Sequence, residues 1–521
     1  MSQAIDHVAL LPAYLAGATA VLALLADLAL GRRQVTLATT AAGAATVAVA
    51  AWAVGAGPAR ETFCVPGAGC SYVAEPVSAA MAVLFALLTL GVLALSARAV
   101  RDLPAGEYCF LLACSLAGGV ALAYARDLIT LIVALETLTL PLYALVGLRR
   151  RSTASAHGAL TMFVVSVVAA AVTLLGAALL YAATGVVHLG ALAEALAVGV
   201  GPDLTPLARV GAVLVVAGLA FKVAAVPFHA WAPPAYDGAP VPVAAYLSTA
   251  SKLGGVVAIV YVVGTALRPW LAVVGPPLAA IAVLTMTVGN LVALRQRRMV
   301  RLLAWSSVAQ AGYLLAPLGG FAVAAGRTGD VVALALSATV AYTIFYVLIE
   351  LAAFGSVVAL RGGAADGGAI EEYQGAARRA PLVGAAFTLA LVGLAGLPPG
   401  LAGLFAKVAV VRALLAGGGW WLAVIVALNV VVGLAYYLRV AARLYTAPVA
   451  VEQGAPAAPT VAERGAPLTA LAGSGAPSSG PAPNRAPWLV GAALAVATLA
   501  AIVLGFAPQL VLDVAAFAAS R

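Results

Sequence analysis

Fourteen apolar runs of about 20 residues or more follow one another along the chain, separated by short polar breaks. They cover approximately residues 8–30, 35–56, 74–98, 106–124, 127–148, 156–184, 207–232, 240–265, 271–293, 300–320, 330–359, 381–412, 418–445 and 486–516. A helix of about 20 residues rises about 30 Å, the thickness of a bilayer's hydrocarbon layer. Inside that layer no water is available for backbone N–H and C=O groups, so each run must fold as a helix. Hydrophobic residues make up 64% of the 521 positions and charged residues 9%. No soluble core needs that balance, so the length reads as one polytopic membrane unit rather than several domains. The expected fold is all-α, with about 14 transmembrane helices. The first cation is Arg32, so the opening run lacks the basic flank of a cleaved signal peptide and reads as the first span.

A net charge of +9 would suggest a nucleic-acid partner in a soluble protein. Here it follows from arginines placed in alternate loops. Loops after odd-numbered spans hold eighteen: Arg32, Arg33, Arg98, Arg101, Arg149, Arg150, Arg151, Arg295, Arg297, Arg298, Arg301, Arg361, Arg378, Arg379, Arg439, Arg443, Arg464 and Arg485. Loops after even-numbered spans hold six: Arg60, Arg126, Arg209, Arg268, Arg327 and Arg412. The bias predicts odd loops in the cytoplasm and both termini outside. Two segments read as non-helical. Residues 57–73 form an outward loop in which Cys64 and Cys70 bracket VPGAG; a disulfide and two free thiols are both open there. Residues 447–485, rich in Ala, Pro, Gly and Ser, read as a disordered cytoplasmic linker.

The chain has three lysines, Lys222, Lys252 and Lys407, and each lies inside an apolar run. An ionisable group at bilayer depth costs about 2.5–3.5 kcal/mol on insertion scales, so its presence asks for a reason. Arginine keeps its proton under all accessible conditions, whereas a desolvated lysine can release one. Glu136 lies near the centre of LITLIVALETLTLPLYALVG, and Ser248 precedes Lys252 by about one turn. Structural ion pairing is the plain alternative. Three cations and one carboxylate cannot all form neutral couples, which favours proton carriage. Glu350, about three turns from the end of its run, is a weaker candidate that could instead snorkel to the headgroups. His229 in PFHAW and His157 at the start of span six are weaker still, and a packed interfacial histidine is the competing reading for His229.

Two runs contain helix breakers. Pro227 follows Lys222 by five residues, and LAGLPPGLAG interrupts the run that holds Lys407. Proline removes a backbone donor and clashes with the preceding turn, so spans seven and twelve should be discontinuous. Broken helices within a bilayer mark hydrated ion paths. Each is the fourth member of a five-span block, four to eight and nine to thirteen. Five is odd, so the blocks face opposite ways as inverted repeats. The organisation expected is three N-terminal helices over 1–105, a first repeat over 106–265 and a second over 266–446. The linker 447–485 and a C-terminal helix within 486–521 complete it.

These features resemble the antiporter-like membrane subunits of respiratory complex I and of multisubunit cation/proton antiporters. The likeness spans runs four to thirteen. It rests on GEYCFLLACSLAGG, DLITLIVALETLTLPLYALVG, FKVAAVPFHAWAPPAYDGAPVPVAAYLSTASK, VRLLAWSSVAQAGY and LAGLPPGLAGLFAK. Within the family, lysine at 407 argues against subunit M, which carries glutamate there. The lack of a long lateral C-terminal helix argues against subunit L. The resemblance implies a proton-translocating subunit of an NADH:quinone oxidoreductase. In it Glu136 pairs with Lys222, and Lys252 passes protons along a hydrated axis to Lys407 at the outward half-channel. It implies no cofactor in this chain, with NAD, FMN, iron–sulfur clusters and quinone elsewhere in the complex. The sequence accords with that, having neither a cysteine cluster for iron–sulfur nor a Rossmann fingerprint. The implied partners are antiporter-like subunits M and L, the small subunits A, J and K, and the lipid bilayer, with no nucleic acid.

The chain also departs from the family pattern. His157 and Thr161 stand where span six usually opens with an acidic residue followed by lysine. Gln310 replaces a usual histidine, and Glu350 replaces a small polar residue. Two other functions compete: a subunit of a cation/proton antiporter, and an assembly scaffold whose buried charges lock helices together.

Overall fold

The computed structural model describes residues 5–362, 366–447 and 487–519. Apart from Ala447, the predicted linker 447–485 lies outside the described residues. Twelve helices are long and apolar enough to cross a membrane, against about fourteen expected. The other two predicted spans are also helical. One is Met299–Gly319, whose serines and glutamine dilute its apolar character. The other is the interrupted pair Pro381–Ala395 and Leu401–Ala416. Outward-facing residues such as Leu28, Leu382 and Phe506 are largely exposed, as suits a surface met by acyl chains.

Spans seven and twelve are broken, as the prolines predict. Helix Thr205–Lys222 ends on the lysine itself, and helix resumes only at Ala232–Gly238. In the other break the chain leaves helix at Ala395 and re-enters at Leu401. Both interruptions contain a cis X–Pro bond, Val226–Pro227 and Pro398–Pro399. The most enclosed of the twelve long helices is Val241–Ala266. Two π turns, Leu247–Ser251 and Val262–Ala266, interrupt its α geometry, the first ending directly before Lys252. Such single-turn bulges cluster at functional positions.

Three expectations need correction. The all-α architecture carries a small sheet: Arg60–Val65 (β1) and Gly69–Ala74 (β2) pair antiparallel inside the predicted loop 57–73. The turn at residues 66–68 sets the register, which places Cys64 opposite Cys70, and the two are joined by a disulfide. The C-terminal span 486–516 is two helices, Trp488–Phe506 and Gln509–Ala519, because Pro508 cannot continue the first. Between spans six and seven a short helix, Leu189–Val198, had not been expected.

The structure brings five of the odd-loop arginines together. Arg98, Arg101, Arg149, Arg150 and Arg361 line one pocket. Nearby, Arg298 bonds Asp237 and Asp366, while Arg361 bonds Asp366 and Glu372.

Candidate functional site

Lys222 ends its helix with its side chain buried. Its Nζ lies 2.8 Å from Glu136 Oε1, and it donates to Thr139 Oγ1 at 3.0 Å and Ser166 Oγ at 3.3 Å. Tyr143 in turn donates to Ser166. Two neighbouring helices therefore supply the ammonium's partners. Glu136 and Thr139 lie one turn apart on Leu128–Val146, and Ser166 comes from Thr153–Thr184. Terminating the helix at the lysine frees the following backbone. Phe221 C=O accepts from Trp231 Nε1 at 3.2 Å, and Val226 N–H donates to Thr285 at 2.9 Å. The broken segment is thus satisfied by protein, the condition for irregular backbone at this depth.

Lys252 is enclosed on the neighbouring helix. Gly255, three residues on, presses directly on the Lys222 backbone, since a Cβ there would lie 3.0 Å from Lys222 Cβ. The two lysines therefore belong to contacting turns of adjacent helices. Lys252 Nζ donates to Ser307 Oγ at 2.5 Å and to the Ser307 carbonyl. Ser307 lies 2.8 Å from Tyr346 OH, and Ser248 donates to Glu350 Oε1 at 2.7 Å.

Lys407 is held differently. Its Nζ donates to the carbonyls of Leu394 and Ala395, at 2.7 and 2.6 Å, which are the unsatisfied C-terminal groups of the first half-helix. Those carbonyls carry the negative end of the helix dipole, so they suit a cation. The Tyr313 ring centroid lies 5.1 Å from the ammonium. Among the described residues, Lys222 is the one lysine in a direct ion pair.

Helix Met299–Gly319 joins the last two lysines. Ser307 accepts from Lys252, and Gln310, three residues later, donates from Nε2 to the Leu394 carbonyl that Lys407 also uses. A parallel rung comes from helix Gly329–Arg361, where Tyr346 meets Ser307 and Tyr342 donates to Gln310. A void of about 10 Å³ lined by Gln310, Tyr342, Tyr346 and Leu394 lies between them, near the lower limit for one water. Beyond Lys407, a groove of about 710 Å³ runs to Arg412. The three lysines thus form a file carried on contacting or bridged helices through the interior.

The remaining candidates divide. Glu350 is fully buried beside this file, so it does not snorkel. His229 is half-buried, its ring 5.2 Å from that of Trp305 and its Nδ1 without a partner among the described residues. His157 is exposed on the first turn of its helix. Neither histidine joins the file. Sequence reading missed Thr139, Ser166, Ser307, Tyr342 and Tyr346. Polar residues three or four apart inside an apolar helix, as in Ser307 and Gln310, were the available signal.

Fold and site together define a polytopic helical membrane protein with two interrupted helices and a buried file of lysines. The profile of the family "NADH:quinone oxidoreductase/Mrp antiporter, TM" matches residues 125–433. The chain is 62% identical, over 99% of both sequences, to NADH-quinone oxidoreductase subunit N of Salinispora tropica. Among solved structures it resembles a chain of respiratory complex I from Thermus thermophilus, with TM-score 0.74 and 29% identity over 97% of this chain and 99% of that one. It also shares its fold with a chain of the Mrp complex from a Dietzia species, with TM-score 0.79 and 22% identity over 99% and 97%. The chain belongs to the NADH:quinone oxidoreductase/Mrp antiporter membrane-subunit family.

Proposed function

We propose that this chain is a proton-translocating membrane subunit of an NADH:quinone oxidoreductase, coupling quinone reduction elsewhere in the complex to proton movement along Glu136, Lys222, Lys252 and Lys407. The observation that carries the reading is the file itself: three enclosed amines on contacting or bridged helices, the first tied to a carboxylate. Near-full-length likeness to a subunit N supports placing it in that complex rather than in a cation/proton antiporter.

In this reading the Glu136–Lys222 contact is the driver. At an effective dielectric near 20, two unit charges about 4 Å apart interact by about 4 kcal/mol, enough to decide whether a buried amine keeps its proton. Drawing Glu136 away by a charge change in a neighbouring subunit lets Lys222 release a proton toward Lys252. Lys407 then releases one into the groove that reaches Arg412. NAD, FMN, iron–sulfur clusters and quinone belong to other subunits, and the membrane neighbours are the antiporter-like subunits M and L and the small subunits A, J and K. The arginine-rich face is cytoplasmic in a bacterial plasma membrane. His157 and His229 receive no transfer step.

Purification from native membranes tests the assignment: flavin- and iron–sulfur-bearing subunits should accompany the chain. Co-purification with cation/proton antiporter subunits instead would overturn it. Lys222→Met and Lys252→Met should assemble at normal abundance yet lose NADH-driven proton uptake. Loss of activity in step with loss of the complex would make the lysines structural braces.

A further inference from the structure

The file of lysines does not use Glu350, although this is the most completely buried carboxylate in its surroundings. It lies on helix Gly329–Arg361 with none of its surface exposed. Oε1 accepts from Ser248, while Oε2 has no partner among the described residues. A buried carboxylate with an orphaned oxygen is costly, whereas a carboxylic acid places its proton there. The path to Lys252 runs through hydroxyls. Ser248 Oγ lies 3.0 Å from Tyr346 OH and 3.4 Å from Ser307 Oγ, and Ser307 Oγ holds the ammonium at 2.5 Å. No direct ion pair joins Glu350 and Lys252 among the described residues.

A second observation lies toward the arginine-rich face. The helices that carry Ser248 and Glu350 both reach the pocket of about 880 Å³ there, to which they contribute Val241, Pro242, Val358 and Arg361. Val241 is seven residues from Ser248 and Val358 eight from Glu350, which is about 10–12 Å along each helix. Phe354, midway between Glu350 and Val358, packs on Tyr236 with ring centroids 6.3 Å apart.

We propose that Glu350 is a proton carrier that loads Lys252, filled from the pocket on the arginine-rich face past the Tyr236–Phe354 pair. The neutral acid, its carboxyl rotated so that the protonated oxygen faces Ser248, gives that proton to Ser248 Oγ, which releases its own to Ser307 Oγ, which releases its own to the Lys252 amine. A carboxylate and an ammonium result, and both hydroxyls end with one proton each. Loading Lys252 this way does not require Lys222 to pass its proton on. The inference rests on the proposed relay only through Lys252.

The test uses the whole complex in proteoliposomes. Glu350→Gln keeps the size of the side chain and an acceptor for Ser248 but cannot exchange the proton. It should assemble at wild-type abundance, lower NADH-driven proton uptake about tenfold or more, and remove a carboxylic-acid C=O band from the infrared difference spectrum. Glu350→Asp should restore part of the uptake. Full pumping per assembled complex in Glu350→Gln would overturn the proposal. If Glu350→Gln fails to assemble, Ser248→Ala interrupts the path without touching the acid; it should slow uptake as strongly, and normal uptake there would sink the idea. The Lys222→Met variant keeps the two readings apart: it tests the relay, and its outcome does not depend on Glu350.

Discussion

Lys407 and Lys222 solve the same problem by different means. One leans on the carbonyl end of an interrupted helix and the other on a carboxylate and hydroxyls. The lysines were legible because a chain that otherwise uses arginine keeps three lysines, all within apolar runs. Their hydroxyl partners were not. Serine and threonine in apolar helices routinely bond the carbonyl four residues back, as Thr139 does to Leu135, so sequence alone cannot say which hydroxyl turns toward a charge. Outside the membrane the charged residues can be read through their protons. Burial raises the Asp366 carboxyl, but Arg298 and then Arg361 outweigh it and hold it below its ordinary 3.8. The Ala369 N–H, then Arg361, hold Glu372 below 4.5. Folded values below the ordinary ones mean that the stabilisation is complete above the ordinary values and is lost as the pH falls through the depressed ones. The amide protection factors of residues 366–375 should therefore be level from about pH 8 to 5 and fall only below about pH 4. A fall between pH 7 and 6 would assign the loop's order to other groups.

Among the elements, proline announced both interruptions, since a missing donor and a steric clash are local properties of one residue. The hairpin, the helix Leu189–Val198 and the π turns were hidden. The first two depend on how short outward segments fold back on their neighbours, and the third on packing against helices distant in sequence. Gly396 shows how tightly one interruption is built. It caps the first half-helix at φ +82°, and a Cβ there would lie 2.4 Å from Lys407 Cδ. Left-handed backbone costs a non-glycine residue about 1–2 kcal/mol, and the added carbon would also push Lys407 from its carbonyls. Gly396→Ala should lower the thermal midpoint of the complex's membrane arm and cut proton uptake together. An unchanged midpoint with full uptake would show that Lys407 tolerates displacement.

For the molecule as a whole, the eighteen-to-six division of arginines fixes an expected orientation. Ser152→Cys, on the arginine-rich side, should react with a membrane-impermeant maleimide only in inverted vesicles. Gly67→Cys, at the hairpin turn, should react only in right-side-out ones, and the reverse pattern would invert the assignment. The π turn before Lys252 governs how its helix meets helix Met299–Gly319. A bulge of this kind accommodates one surplus residue, and one residue corresponds to about 100° of azimuth around a helix. Everything downstream is rotated in phase by that amount. Lys252 therefore faces Ser307 on helix Met299–Gly319 through an angular offset stored in the preceding turn; excising a single residue from 247–251 would swing the ammonium out of line while leaving every side chain of the file chemically intact.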